Sequence, residues 1–224
     1  MGSKNKLKRF KENETFSNLI QPNRESMFKN QFNLRGNWNS TYFKNDNPIV
    51  LELGCGKGEY TLYFSELNPE INYIGIDIKG ARIWRGAKTA FERGLKNVAF
   101  LRTQIELLTK LFSHNEVNEI WITFPDPQIK LRRAKHRLTN PEFLSMYKKI
   151  LKSKGSINVK TDSDFFYGYT LGIIQGLGGK VIYSDNDIYK NPNSPTELTK
   201  VQTFYERTFL NDGKKISFIK FCFD

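Results

Sequence analysis

The sequence predicts a doubly wound, mostly parallel α/β sheet of seven strands, preceded by a basic N-terminal arm. Short apolar and β-branched runs alternate with segments of helical periodicity from residue 48 onward. A glycine turn, Gly54-Cys55-Gly56-Lys57-Gly58, joins the first such run to the first helical segment. The next run ends in Asp77, twenty-three residues after Gly54. Strand, turn, helix and strand in that order form a unit whose two strands pair in parallel.

Ile49, Val50, Leu51 and Leu53 suit a strand covered on both faces. Tyr60, Leu62, Tyr63, Phe64 and Leu67 then recur at helical spacing, so the turn delivers a helix N-terminus. Residues 72–78 and 97–101 read as the second and third strands, and 118–127 as the fourth, ending in the proline-bracketed acid Pro125-Asp126-Pro127. Thr139-Asn140-Pro141 opens a helix that Gly155 is expected to close. Residues 156–162 form the fifth strand, 165–177 a helix, and 180–183 and 216–221 the last two strands. The stretch 185–199, rich in Asn, Asp, Pro and Ser, reads as a long loop. The expected organisation is an arm over residues 1–45 and one domain over 46–224.

No apolar run approaches the ~20 residues of a membrane span. The lysine-rich start lacks the apolar stretch of a signal peptide. Two cysteines, Cys55 and Cys222, make no disulfide framework, which suits a reducing cytoplasm. His114 and His136 are the only histidines. They are too few for a His-rich metal site, and no metal is expected.

The net charge of +12 is unevenly placed. Residues 1–44 carry +6 and residues 130–137 carry +5, leaving +1 for the remainder. A cluster of one sign costs self-repulsion unless a partner neutralises it, so these segments point to a polyanion. The second cluster begins four residues after Asp126, at the strand ends where open α/β sheets bind ligands. Arg132, Arg133, Lys135, His136 and Arg137 are therefore candidate nucleic-acid contacts. The arm is expected to be partly disordered when free and to order on that polyanion.

The glycine spacing is Gly-x-Gly-x-Gly, not the Gly-x-Gly-x-x-Gly that cradles a pyrophosphate. Glu52, two residues before Gly54, would repel a pyrophosphate and suits a cationic amine instead. S-adenosylmethionine carries such an amine and no phosphate. Asp77 stands where an acid on the second strand meets a ribose hydroxyl pair. Phe124, beside Asp126, is a candidate for stacking on a base.

Five motifs in order, Leu51-Glu52-Leu53-Gly54-Cys55-Gly56-Lys57-Gly58, Gly75-Ile76-Asp77, Phe124-Pro125-Asp126-Pro127, Lys160-Thr161-Asp162 and Thr203-Phe204-Tyr205-Glu206, resemble those of the bacterial tRNA (guanine-N7-)-methyltransferases. The resemblance covers about residues 30 to 210. It implies a Rossmann-like class I enzyme that moves a methyl group from S-adenosylmethionine to a variable-loop guanosine, with tRNA as the macromolecular partner and no membrane. It further implies that Glu52, Gly54, Asp77, Gln104 and Asp126 hold the methyl donor, with Asp126 catalytic beside the methyl group. Lys130, Asp162, Thr203 and Glu206 would contact the RNA substrate. Gln128 stands where the family usually carries Trp.

Guanine N7 presents a lone pair and no proton, so its methylation requires no general base. A 2′-O-methyltransferase would need one, such as Lys160 with its ammonium depressed by burial. The residues also leave open transfer to a base amino group, and RNA binding without catalysis on the same fold.

Overall fold

A computed structural model describes residues 3–223. The strands are β1 (Leu19–Ile20), β2 (Ile49–Leu53), β3 (Asn72–Ile76), β4 (Val98–Leu101), β5 (Val117–Thr123), β6 (Leu151–Thr161), β7 (Lys180–Asp185) and β8 (Ser217–Cys222). The α-helices are α1 (Ser3–Asn13), α2 (Arg24–Phe28), α3 (Glu59–Leu67), α4 (Gly80–Glu92), α5 (Leu108–Leu111), α6 (Pro141–Ile150), α7 (Asp164–Gly176), α8 (Glu197–Lys200) and α9 (Phe204–Asn211). One sheet runs β1-β4-β3-β2-β5-β6-β8-β7, parallel except where β8 lies antiparallel between β6 and β7. The order reverses between β2 and β5. That switch point is where an open α/β sheet leaves a crevice at the strands' C-terminal ends. Every residue of β2, β3 and β4 is buried, as expected of strands sandwiched between helices.

The sheet has eight strands among the described residues, not seven, because the expected arm is folded into the body. Leu19 and Ile20 pair with Phe100 and Leu101. Asn13 Nδ2 donates to Gly80 O at 3.0 Å and Asn18 Nδ2 to Ala87 O at 2.9 Å, fixing this segment along α4. Trp38 is fully buried, donates to Leu111 O at 3.0 Å and stacks on Phe112 with ring centroids 5.5 Å apart. The expectation of a partly disordered arm weighed its lysines. The buried Leu19, Met27, Trp38 and Phe43 decide otherwise, because removing such side chains from water outweighs the ordering cost.

Three boundaries also differ. β5 stops at Thr123, and Phe124 turns the chain out of the sheet at φ 48°. α6 ends at Ile150 instead of Gly155, because Leu151 pairs with Val117 as β6 begins. Gly155 sits in the irregular start of β6, where a Cβ would stand 2.8 Å from Lys152 O. The expected loop 185–199 holds α8 and buries Ile188 and Leu198 against Ile216 and Phe218. α9, with no counterpart in the sequence reading, follows it.

Candidate active site

The glycine turn bends at the end of β2 because Gly54, Gly56 and Gly58 adopt φ of 75°, 57° and 72°, which side-chain-bearing residues rarely hold. The Gly54 and Cys55 amides donate to Ile76 O at 2.8 and 3.0 Å. Asp77 ties the turn from the next strand: its Oδ2 accepts from Gly56 N at 2.9 Å and its Oδ1 from Lys79 N at 2.7 Å. A Cβ at Gly58 would meet Phe100 at 2.6 Å, whereas one at Gly54 would meet nothing within 4 Å. Gly58 is thus required for packing, and Gly54 faces open space.

That space is two cavities meeting at Gly54. One, of about 240 Å³, is lined by Asp77, Ile78, Gln104, Ile105 and His136 among others. The second, of about 100 Å³, is bordered by Glu52, Lys57, Arg82, Phe124, Thr203 and Tyr205. Larger concavities of about 380 and 680 Å³ lie around Phe223, and no carboxylate lines either. Only the smaller pair is lined by carboxylates.

The acids at the crevice differ in environment. Glu52 is buried; its Oε2 accepts from Thr61 N at 3.0 Å and Thr61 Oγ1 at 2.6 Å, and its Oε1 from Thr123 Oγ1 at 2.9 Å. Burial outweighs these bonds and pushes the carboxyl up to about 7. Asp126 is exposed on the loop beyond β5, where its Oδ1 accepts from Gln128 N at 3.2 Å. Gln104 is exposed at the rim of the larger cavity. Burial, with Glu52 and Asp77 nearby, raises the Cys55 thiol well above its ordinary value, so it is no nucleophile.

Glu206 is not on the RNA-facing surface, contrary to the sequence reading. It is fully buried in an ion pair with Lys160, also fully buried. Tyr189 OH donates to it at 2.8 Å and Tyr60 OH at 3.2 Å, while Lys160 Nζ donates to Tyr60 OH at 2.6 Å and Leu198 O at 2.5 Å. Burial lowers the Lys160 ammonium and Glu206 opposes that shift. An ammonium so engaged is not available as a base, which removes the candidate for 2′-O chemistry. Thr203 caps α9, its Oγ1 accepting from Glu206 N at 3.1 Å, and the Phe204 amide donates to Glu59 at 3.2 and 3.3 Å. The cluster therefore fastens the start of α9 over the glycine turn. Asp162 pairs with Lys214 at 2.7 Å.

In the basic segment, Lys130, Arg132, Arg133, Lys135 and His136 are exposed along a 3₁₀ turn, Leu131–His136. Arg137 is only 6% exposed, which corrects its assignment as an RNA contact. Its guanidinium donates to Gln128 O and Ile129 O, both at 3.2 Å, and lies over the rings of Phe165 and Tyr169 at 4.8 and 4.5 Å. Neither Gln128 nor the exposed Lys130 marks this internal role. The signal was Phe165 and Tyr169, one helical turn apart and able to sandwich a cation. Phe124 packs on Phe209 at 5.8 Å between centroids, and its ring edges the smaller cavity. Among the described residues no group of His, Cys, Asp and Glu is placed to hold a metal ion. No helix among them is long and apolar enough to cross a membrane.

A family model described as "Putative methyltransferase" matches residues 46–219. The chain is 62% identical over 221 residues, 99% of each protein, to the tRNA (guanine-N(7)-)-methyltransferase of Christiangramia forsetii. It belongs to that family. A second tRNA (guanine-N(7)-)-methyltransferase, from Porphyromonas gingivalis, is 50% identical over 85% of this chain and 77% of its own length. Among solved structures, the 16S rRNA methyltransferase KamB superposes with a TM-score of 0.62 over 81% of this chain and 90% of that one, at 16% identity. The last likeness shows the fold alone. The crevice at Gly54 lies at the switch point of the sheet, where open α/β folds bind ligands.

Proposed function

We propose that the two cavities meeting at Gly54 form one cleft for S-adenosylmethionine, and that the loop carrying Asp126 presents guanine to it. The chain is an S-adenosylmethionine-dependent tRNA (guanine-N7-)-methyltransferase. The observation that carries the site reading is the pair of acids Glu52, on β2, and Asp77, directly after the adjacent β3, flanking an open Gly54. The donor set fits the group. Asp77 offers acceptors to a ribose hydroxyl pair, Gln104 and Ile105 border the wider cavity, and buried Glu52 answers an ammonium. Bound there, S-adenosylmethionine supplies an electrophilic methyl on a positively charged sulfur.

The remaining work falls to this chain's residues. Guanine N7 attacks with its lone pair, so none of them needs to take a proton. Positive charge develops on the purine during transfer, and a carboxylate beside the base stabilises that state more than the ground state. Asp126, exposed next to the cleft, accepts from the guanine N–H groups and supplies that field; Asp162, held by Lys214, stands at the end of β6 and supports it. Lys130, Arg132, Arg133, Lys135 and His136 hold phosphates, which position the tRNA without reading its sequence. The variable-loop guanosine is the proposed target. Free Cys55 and Cys222 suit a reducing cytoplasm.

Transfer of labelled methyl from S-adenosylmethionine to bulk tRNA, followed by nucleoside analysis, tests this. Label in 7-methylguanosine is expected, and replacing the variable-loop guanosine by adenosine should abolish it. Label in a ribose-methylated or amino-methylated nucleoside would overturn the target.

A further inference from the structure

The basic segment after Asp126 forms only one side of the mouth. On the other side, α4 begins directly after β3 and carries Lys79 at its N-cap and Arg82 and Arg85 at i,i+3 spacing, so the three share a face. All three are exposed, as is Lys57 of the glycine turn, whereas Ile83, Ala87 and Ala90 of the same helix are buried.

The neighbouring acids are already engaged. Glu59 accepts from the Phe204 amide, Glu12 accepts from Trp84 Nε1 at 2.6 Å, Asp77 holds the Gly56 and Lys79 amides, and Glu92 pairs with Lys88 at 3.7 Å. Among the described residues, Lys57, Lys79, Arg82 and Arg85 form no salt bridge. Three of them rest on aromatic faces instead: Lys57 at 4.6 Å over Phe204, Arg82 at 6.0 Å over Tyr205 and Arg85 at 5.1 Å over Trp84. A guanidinium stacked on a ring keeps its edge N–H groups free for phosphate. Like charges gathered on one face repel one another unless a polyanion answers them.

Lys57 and Arg82 border the smaller cavity, and His136 borders the larger, so the two basic surfaces flank the cleft from opposite sides. We infer that Lys57, Lys79, Arg82 and Arg85 form a second phosphate-binding wall, and that the tRNA backbone is gripped on both sides of the cleft. This rests on the tRNA reading given above.

The test is the salt dependence of tRNA binding by the full chain. Each phosphate contact contributes about 0.9 to the slope of log K against log salt. A Lys79→Gln/Arg85→Gln variant, which leaves the cavity lining intact, should flatten that slope by about 1 to 2 with S-adenosylmethionine affinity unchanged. A Lys149→Gln/Lys152→Gln variant removes the same charge from the opposite end of the sheet and should leave the slope unaltered. An unaltered slope in the α4 variant would overturn the wall. Equal flattening in both variants would overturn it too, by showing a general field and no local contact. Nucleoside analysis of wild-type product reports on the methylation reading separately: a flattened slope without 7-methylguanosine would keep the wall and discard that reading.

Discussion

Charges in the Lys160 cluster and charges in residues 130–136 are handled in opposite ways. Lys160 and Glu206 are fully buried and surrounded by Tyr60, Tyr189 and Leu198 O, so each charge is answered inside the protein. Lys130, Arg132, Arg133 and Lys135 face solvent with no acid beside them in the sequence. An answered charge positions protein, here the start of α9 over the glycine turn. An unanswered one is available to a ligand. Arg137 sits at the end of the exposed run yet belongs to the first class.

The comparison breaks most directly at Glu206. Glu206→Leu leaves the Lys160 ammonium buried and unpaired, which should cost about 3–5 kcal/mol in urea unfolding. A Lys160→Met/Glu206→Leu double variant should recover most of that loss, because no lone charge remains buried. A Glu206→Leu protein of undiminished stability but weakened tRNA affinity would return Glu206 to the RNA surface.

Glu52 sharpens the comparison, since it is buried and answered by hydroxyls and an amide, with no cation. Its carboxyl sits near 7 in the fold against 4.5 as the ordinary value. The folded state therefore holds the proton more tightly than the unfolded chain. Its contribution is fully present below about pH 4.5 and is lost as pH rises through about 7. The loss is about 3 kcal/mol at ~1.4 kcal/mol per pH unit. Melting temperature of the cofactor-free protein should fall from pH 5 to pH 8, and Glu52→Gln should flatten that dependence. S-adenosylmethionine should bind more tightly as pH rises through the same window, because the ionised carboxylate is the form that answers its ammonium. A pH-independent affinity would remove Glu52 from the amine.

Asp126, exposed and without a cation, is the acid left for chemistry. Asp126→Asn should lower turnover about 10²-fold with little change in stability, by the scale of losing one electrostatic group at a reacting centre. Single-turnover rates at saturating tRNA read this directly, and an unchanged rate would exclude the role.

The sheet and the cleft were legible because they depend on local signals. Buried strands read as apolar runs, Gly54 to Gly58 as a turn, and Glu52 and Asp77 as acids at fixed offsets from it. What stayed hidden depends on pairing across long separations. Lys160 and Glu206 are 46 residues apart, and nothing in either segment marks their pairing. The first 45 residues read as an arm because of their net positive charge, while Trp38 finds Phe112 only in the fold. Helix α9 lacked an apolar stripe strong enough to announce it; its place is set by Thr203, Glu59 and the buried ion pair.

The smallest effect on the fold, and the finest test of the contrast, lies within residues 130–137. Arg132, Arg133 and Lys135 replaced together by Ala should leave stability within about 0.5 kcal/mol per site, as for surface residues without partners. The same variant should flatten the salt dependence of tRNA binding by up to about 3, with S-adenosylmethionine binding retained. Arg137→Ala should do the reverse. It frees the Gln128 and Ile129 carbonyls and empties the space over Phe165 and Tyr169, so it lowers unfolding stability by about 1–3 kcal/mol and leaves the salt slope in place. Because those carbonyls belong to the loop that carries Asp126, turnover should fall as well, through a loosened loop and not a lost phosphate contact. If Arg137→Ala flattened the slope as its neighbours do, the buried guanidinium would have to swing out on RNA, and the division between answered and unanswered charge would hold only for the free protein.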